Sequence, residues 1–82
     1  MFTVRWSKTA LDSLAELWLE AEDRTLVTAA VAEIDRTLAR DPLTAGESRS
    51  EEIRVLFVPP LGVFFEIDDS LDTVRVLRTW TF

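Results

Sequence analysis

The chain ends, over residues 51–82, in EEIRVLFVPPLGVFFEIDDSLDTVRVLRTWTF, and this stretch decides the fold. Apolar and β-branched residues dominate three segments of it, at 52–58, 62–67 and 73–82. Pro59 and Pro60 separate the first two segments, and the aspartate-rich run 68–72 separates the last two. Apolar runs bounded by turn residues are typical of consecutive strands. The stretch therefore predicts three β-strands in a row.

The first half of the chain predicts one more strand and two helices. Residues 2–6 alternate apolar and polar side chains, as a half-buried strand does. Ser7 is placed to cap a helix over residues 8–22, and Asp23 is placed to cap a second helix that ends at Arg40, before Asp41 and Pro42. The predicted apolar stripes are Leu11, Leu14, Ala15 and Trp18 in the first helix, and Val27, Ala30, Val31, Ile34 and Leu38 in the second.

This order of elements, β-α-α-β-β-β, predicts an α+β fold. The break near residues 21–23 is short, so the two helices should form a hairpin, packed on one face of a four-stranded, mostly antiparallel sheet. The polar stretch 43–50 is predicted as a loop. A chain of 82 residues has room for one core, so residues 1–82 are predicted to form a single domain.

The composition excludes several kinds of chemistry. The chain has no cysteine and no histidine, which removes thiol nucleophiles, the usual zinc sites and the serine–histidine triad. Asp68, Asp69 and Asp72 are interpreted as turn residues, so no metal or other cofactor is predicted. The net charge of −6 argues against broad, non-specific nucleic-acid binding. Without a signal peptide or a membrane-length apolar run, we expect a cytoplasmic protein that does not bind membranes.

Side-chain alternation divides each predicted strand between two faces of the sheet. On the first of the three strands, Ile53, Val55 and Phe57 should face the helices. The opposite face of the sheet then combines arginines with Leu56, Phe64 and Leu77, which is unusually apolar for a surface in contact with solvent. Three explanations remain open from these residues: a partner site, a dimerising face, and a face covered by the C-terminal tail.

At this point the sequence resembles the RelE/ParE toxin superfamily over nearly its whole length. The residues that carry the resemblance are Val4–Ser7 with Ala10 and Leu14, the helix end Leu38–Pro42, the hairpin Arg54–Ile67, and Val74–Leu77. The resemblance implies a helix hairpin on a twisted sheet and a cognate antitoxin protein as partner. It also implies one of two toxic activities, which are cleavage of mRNA in the ribosome and inhibition of DNA gyrase.

The resemblance further implies basic groups on the sheet face that stabilise a phosphate during ribonucleolytic cleavage. Arg54 matches such a position, and Arg75 and Arg78 are candidates to support it as anion-binding residues. The next basic position of the family falls at Leu56, and the arginine expected early in the third strand falls near Val63 or Phe64. The chain also has no tyrosine, so enzymatic activity stays an open question.

Two functions follow as hypotheses. The first is the toxin component of a type II toxin–antitoxin module. The second is a divergent, non-toxic relative that acts as a small protein-interaction or homodimerising domain. The residues predicted to bind a partner are Leu56, Phe64, Leu77, Trp80 and Phe82.

Overall fold

The computed structural model describes residues 1–49 and 52–82, and within them seven elements follow one another. They are β1 (Thr3–Trp6), α1 (Lys8–Glu20), α2 (Arg24–Arg40), β2 (Glu47–Ser48), β3 (Ile53–Val58), β4 (Leu61–Asp68) and β5 (Thr73–Thr81). The predicted α+β class and the order of helices and long strands are confirmed. No helix in the described residues is long and apolar enough to cross a membrane.

The strands form one five-stranded sheet in the order β1-β5-β4-β3-β2. β1 runs parallel to β5, and every other pair is antiparallel. The prediction of four strands missed β2, which has two residues and lies inside the predicted loop 43–50. Polar residues in so short a segment carry no alternation signal. Residue 50 of that loop lies outside the described residues.

Both predicted helix caps are confirmed. The Ser7 Oγ accepts a hydrogen bond from the Ala10 N–H at 3.0 Å, and the Asp23 Oδ1 accepts one from the Leu26 N–H at 3.2 Å. Each satisfies a backbone donor that the first turn of a helix leaves without a partner. The guanidinium of Arg24 lies 4.7 Å from the ring centre of Trp18 and donates to the last carbonyls of α1, so it fastens the turn between the helices.

The helix hairpin buries one face of the sheet, which we call the helix face. Its core comprises Ala10, Val27, Ala30, Ile34, Leu38, Leu61, Val63, Phe65, Val74 and Val76. The predicted stripe of α2 is confirmed. The predicted stripe of α1 is correct only at Leu14, because Ala10 and Leu17 complete the core-facing side while Leu11, Ala15 and Trp18 are exposed. α1 carries leucines on several sides, so spacing alone did not identify its buried face.

Candidate functional site

The candidate site is the face of the sheet that the helices leave uncovered, which we call the open face. Cross-strand register assigns its side chains, because directly paired residues point to the same side. Val55 pairs with Phe64, Ile53 with Glu66, and Glu66 with Arg75. The open-face residues are Thr3 and Arg5 on β1, Glu47 on β2, Ile53, Val55 and Phe57 on β3, Gly62, Phe64 and Glu66 on β4, and Thr73, Arg75, Leu77, Arg78 and Trp80 on β5.

An irregularity in β5 brings two neighbouring residues to the open face. Phe65 pairs with Val76, but Phe64 pairs with Arg78, so Leu77 is one residue more than β4 can match. Such a bulge shifts the alternation by one residue. Leu77 and Arg78 therefore both lie on the open face, where they line one groove. Strict alternation from Val74 and Val76 would place Arg78 and Trp80 on the helix face, but the bulge moves both to the open face and leaves Thr79 buried.

Arg49, Ile53, Phe64, Leu77 and Arg78 line an open-face groove of about 360 Å³. Its floor is apolar, and two guanidinium groups stand at its margin. Arginine side chains bind carboxylates and phosphates through several parallel hydrogen bonds, and an apolar floor favours a flat or aliphatic group beside the anion. The groove can therefore hold a group that combines a negative charge with an apolar or planar part.

An aromatic cluster lies beside this groove. The rings of Phe64 and Trp80 are 4.7 Å apart between centroids, those of Phe57 and Trp80 are 6.2 Å apart, and those of Phe57 and Phe82 are 5.3 Å apart. Gly62 makes room for the indole, since a Cβ at that position would lie 2.7 Å from the Trp80 ring. Phe57 is 46% exposed and Phe82 is 65% exposed, so the cluster presents aromatic surface to solvent.

Three arginines of the open face have no ion-pair partner within residues 1–49 and 52–82. Arg5 and Arg75 are directly paired across β1 and β5, and both are exposed. Arg78 lies farther along β5 and is also exposed. Within the described residues, the ion pairs are Lys8–Asp12 and Arg36–Glu33, and both lie on helices. The open face therefore offers cationic groups to an external anion, although the whole chain is acidic.

Arg54 does not belong to this group, and its predicted place on the open face is wrong. It pairs with Phe65 on the helix face, where its Nε and Nη2 donate to the Ala45 carbonyl at 3.2 and 3.1 Å and Nη2 also donates to the Gly46 carbonyl at 3.2 Å. Gly46 adopts a φ of 69°, and a Cβ there would collide with the Val55 carbonyl. Arg54 thus holds the loop after α2 against β3.

Leu56 is a second correction, with the same cause. It pairs with Val63 and packs against the helix-face core, so it is not part of the open face. Every side chain of the segment Ile53–Val58 except Arg54 is apolar, and the arginine was interpreted as the marker of the solvent side. The other residues predicted to bind a partner are Phe64, Leu77, Trp80 and Phe82, and they lie in the groove with Arg78 or in the aromatic cluster beside it. Arg75 lies on the same face but lines a different groove, and a partner-binding role of these residues stays a prediction.

The prediction that Ile53, Val55 and Phe57 face the helices is wrong, because they pair with Glu66, Phe64 and Gly62 on the open face. Arg49, which lines the groove, was not assigned to this region from the sequence. Pairing between distant segments decides these positions.

A wider groove of about 670 Å³ lies at the end of the sheet near the β4–β5 turn. Acidic residues, with Glu66 and Asp68 among them, and the arginines Arg54 and Arg75 line it together. The Ser70 hydroxyl, 2.6 Å from Asp68 Oδ1, and the backbone N–H groups of Leu71 and Ser70 hold the pKa of Asp68 below its ordinary value of 3.8. Asp68 thus serves the turn, as predicted from its sequence context.

Comparison with known proteins adds structural relatives. No family model matches the sequence, and no curated protein matches it either. A chain of the RelBE2 toxin–antitoxin complex of Mycobacterium tuberculosis superposes with a TM-score of 0.81 at 27% identity, over 99% of this chain and 91% of that one. A chain of the ParDE system of P. aeruginosa gives 0.73 at 18% identity, over 99% and 96%. The isolated E. coli RelE toxin gives 0.70 at 12% identity, over 99% and 84%.

Proposed function

We propose that this chain, which belongs to the RelE/ParE superfamily, is the toxin component of a type II toxin–antitoxin module and binds a cognate antitoxin protein. The observation that carries the proposal is the likeness to a chain of the RelBE2 complex, which extends over 99% of this chain. Another solved relative is described as the intact E. coli RelBE toxin–antitoxin complex. This chain covers 98% of the chain that it matches in that complex.

The toxic action would use the arginines of the open face. Arg75 and Arg78 are exposed, have no carboxylate bound to them in the described residues, and flank apolar surface. Such a combination suits the anionic surface of a larger target, since charge steers the encounter and apolar contact retains the partner. Ribosome-bound mRNA and DNA gyrase are the two candidate targets that the superfamily offers.

The residues of the open face are better suited to binding a target than to cleaving RNA. Cleavage through the ribose 2′-hydroxyl needs one group that removes a proton and another that returns one to the leaving oxygen. Glu66 lies half-buried on the open face beside Arg75 and could accept a proton. Arginine is too basic to return one at neutral pH, and the chain has no histidine or tyrosine. We therefore favour inhibition by binding.

Growth of bacteria after induced expression tests the toxin function. We expect the wild-type chain to arrest growth and the double variant Arg75→Ala/Arg78→Ala to restore it at equal protein levels. Arg36→Ala is the matched control, because Arg36 is an exposed arginine on α2, away from the open face, and its loss should leave the arrest unchanged. Normal growth with abundant soluble wild-type protein, in a native-host strain from which the cognate antitoxin gene has been removed, would refute the toxin function.

The exposed aromatic cluster supports a second candidate, a non-toxic interaction or homodimerising domain. Phe57, Trp80 and Phe82 form the kind of aromatic surface that is enriched in protein interfaces. A homodimer through this surface would give twice the monomer mass by light scattering, and Phe57→Ser should return it to a monomer. A toxin that lacks its antitoxin should instead scatter as a monomer and arrest growth.

A further inference from the structure

The open-face groove has an arginine on each of two opposite sides. Arg78 belongs to β5, Arg49 follows β2, and the strands β4 and β3 lie between them. The backbone segments that carry the two arginines are therefore three strand spacings, roughly 14 Å, apart. Phe64 of β4 and Ile53 of β3 lie between them, and all four residues line the groove. An anion on the apolar floor can thus be reached from both sides.

The two guanidinium groups are available to such an anion. Arg49 and Arg78 are exposed, and no carboxylate of residues 1–49 or 52–82 forms an ion pair with either of them. Two like charges beside one small apolar area repel each other. An oxyanion between them removes this repulsion and accepts charge-assisted hydrogen bonds from both arginines.

The position of Arg49 depends on a short segment with little packing of its own. β2 pairs with β3 over only two residues, Glu47 and Ser48, and both are exposed. The Arg49 N–H then donates to the Ile53 carbonyl at 2.8 Å. Burial of apolar side chains therefore contributes little to holding this segment, and hydrogen bonds must fix it on β3.

Arg54 supplies hydrogen bonds of this kind from the opposite side of the sheet. Its guanidinium lies on the helix face and donates to the carbonyls of Ala45 and Gly46, at 3.1–3.2 Å. These two residues directly precede β2, so Arg54 fixes the start of the segment that carries Arg49 at its end. Because Arg54 and the groove are on different faces, Arg54 cannot contact a group bound there.

We propose that Arg49 and Arg78 bind one oxyanion between them, and that Arg54 is a positioning residue that holds Arg49 in place for this contact. The oxyanion is a carboxylate or a phosphate ester that carries a planar or aliphatic part, because the floor between the arginines is apolar. The inference rests on the proposed function in one respect, since this oxyanion belongs to the target of the toxin.

Two small probes, phenyl phosphate and benzoate, test the pair of arginines. Each is titrated into the full-length ¹⁵N-labelled protein while the arginine Nε–H signals are recorded, and the variants Arg49→Met and Arg78→Met identify these signals. We expect both signals to shift along one saturable curve, and each variant to bind about fivefold more weakly. The tighter probe names the oxyanion. Arg36→Met, which removes an exposed arginine of α2, should leave binding unchanged.

Inorganic phosphate tests the apolar floor. It has the charge of a phosphate group without a planar or aliphatic part, so it should bind more weakly than phenyl phosphate. Equal binding of the two would contradict the part of the inference that concerns the floor.

A comparison of single and double variants tests the positioning role of Arg54. Arg54→Met should weaken binding as much as Arg49→Met does, and the double variant should bind no more weakly than Arg49→Met alone, because Arg54 acts through Arg49. A backbone spectrum shows whether each variant is folded. Arg54→Lys keeps a charge and hydrogen-bond donors but loses the planar fork, so it should restore part of the affinity. The same comparison is made with Arg54→Lys if Arg54→Met does not fold.

Several results would overturn the inference. Shifts confined to one of the two guanidinium groups, or no shifts up to tens of millimolar of either probe, would exclude a shared oxyanion. Unchanged binding by a folded Arg54→Met protein, or additive losses in the double variant, would exclude the positioning role. The titrations use purified protein and no cells, so their failure and a failure of the toxin function in the growth experiment remain distinguishable.

Discussion

Both faces of the sheet contain apolar residues, but the helix hairpin covers only one of them. On the helix face, Val63, Phe65 and Val76 are fully buried against the helix hairpin. On the open face, Phe64 and Leu77 are equally apolar residues of the same strands, but arginines stand among them and no element of the described chain lies over them. The stabilisation grows with the apolar area removed from water, so fully buried residues contribute more than half-exposed ones. The helix face therefore contributes most of the stability, and the described chain leaves much of the open face accessible.

The largest expected difference between the faces comes from truncating one phenylalanine on each. Phe65 is fully buried, so Phe65→Ala should cost about 3–5 kcal/mol of unfolding free energy, a large part of what a domain of this size has. Phe57 is 46% exposed, and Phe57→Ala should cost about 1 kcal/mol or less. Urea denaturation followed by circular dichroism measures both. Equal losses would mean that the open face is as important for stability as the core.

The helices and long strands could be predicted from the sequence because each depends on residues that are close together in the chain. Ser7 and Asp23 cap helices through bonds within three residues, and α2 has one clear stripe around Ile34. The buried side of α1 was predicted wrongly because leucines occur on several sides of this helix.

The residues of the open face could be predicted only in part, because their positions depend on strand pairing between distant segments. β3 is apolar on both sides, so the packing of Leu56 against the core and the exposure of Phe57 follow from pairing with β4 and not from composition. The bulge at Leu77 has no marker in the sequence, yet it decides that Arg78 and Trp80 share the open face.

Arg54 and Arg75 are arginines of the same sheet with different roles. Arg54 is hydrogen-bonded on the helix face, whereas Arg75 is exposed on the open face. Arg54→Met removes charge-assisted hydrogen bonds to the Ala45 and Gly46 carbonyls, and should cost about 1.5–3 kcal/mol. Arg75→Met should change stability by no more than about 0.5 kcal/mol, since Arg75 is exposed and lies beside Arg5. Denaturation midpoints measured at the same pH compare them. A stable Arg54→Met protein would contradict the structural role of Arg54.

Gly62 tests whether the open face has fixed packing of its own. In Gly62→Ala the new methyl group would lie 2.7 Å from the Trp80 ring, which Phe57 and Phe64 hold from other sides, so the indole must move. We expect a loss of about 1–2 kcal/mol and an altered near-ultraviolet circular dichroism spectrum. In a Trp80→Leu background the same substitution should cost much less. If both backgrounds lose equally, the strain lies in the β4 backbone and not in the aromatic cluster.

The smallest effect belongs to the β4–β5 turn, where Asp68 is exposed but hydrogen-bonded. The Ser70 hydroxyl and two backbone N–H groups hold the pKa of Asp68 below 3.8. The carboxylate therefore stabilises the fold above the unfolded-state pKa, and this contribution disappears as the pH falls through the folded-state pKa. Asp68→Asn should lower Tm at pH 7 by on the order of 1 °C, and the gap to wild type should close below about pH 4. Asp69→Asn, which removes a charge from the same turn, is the control for net charge, and a gap that widens in acid would contradict the assignment.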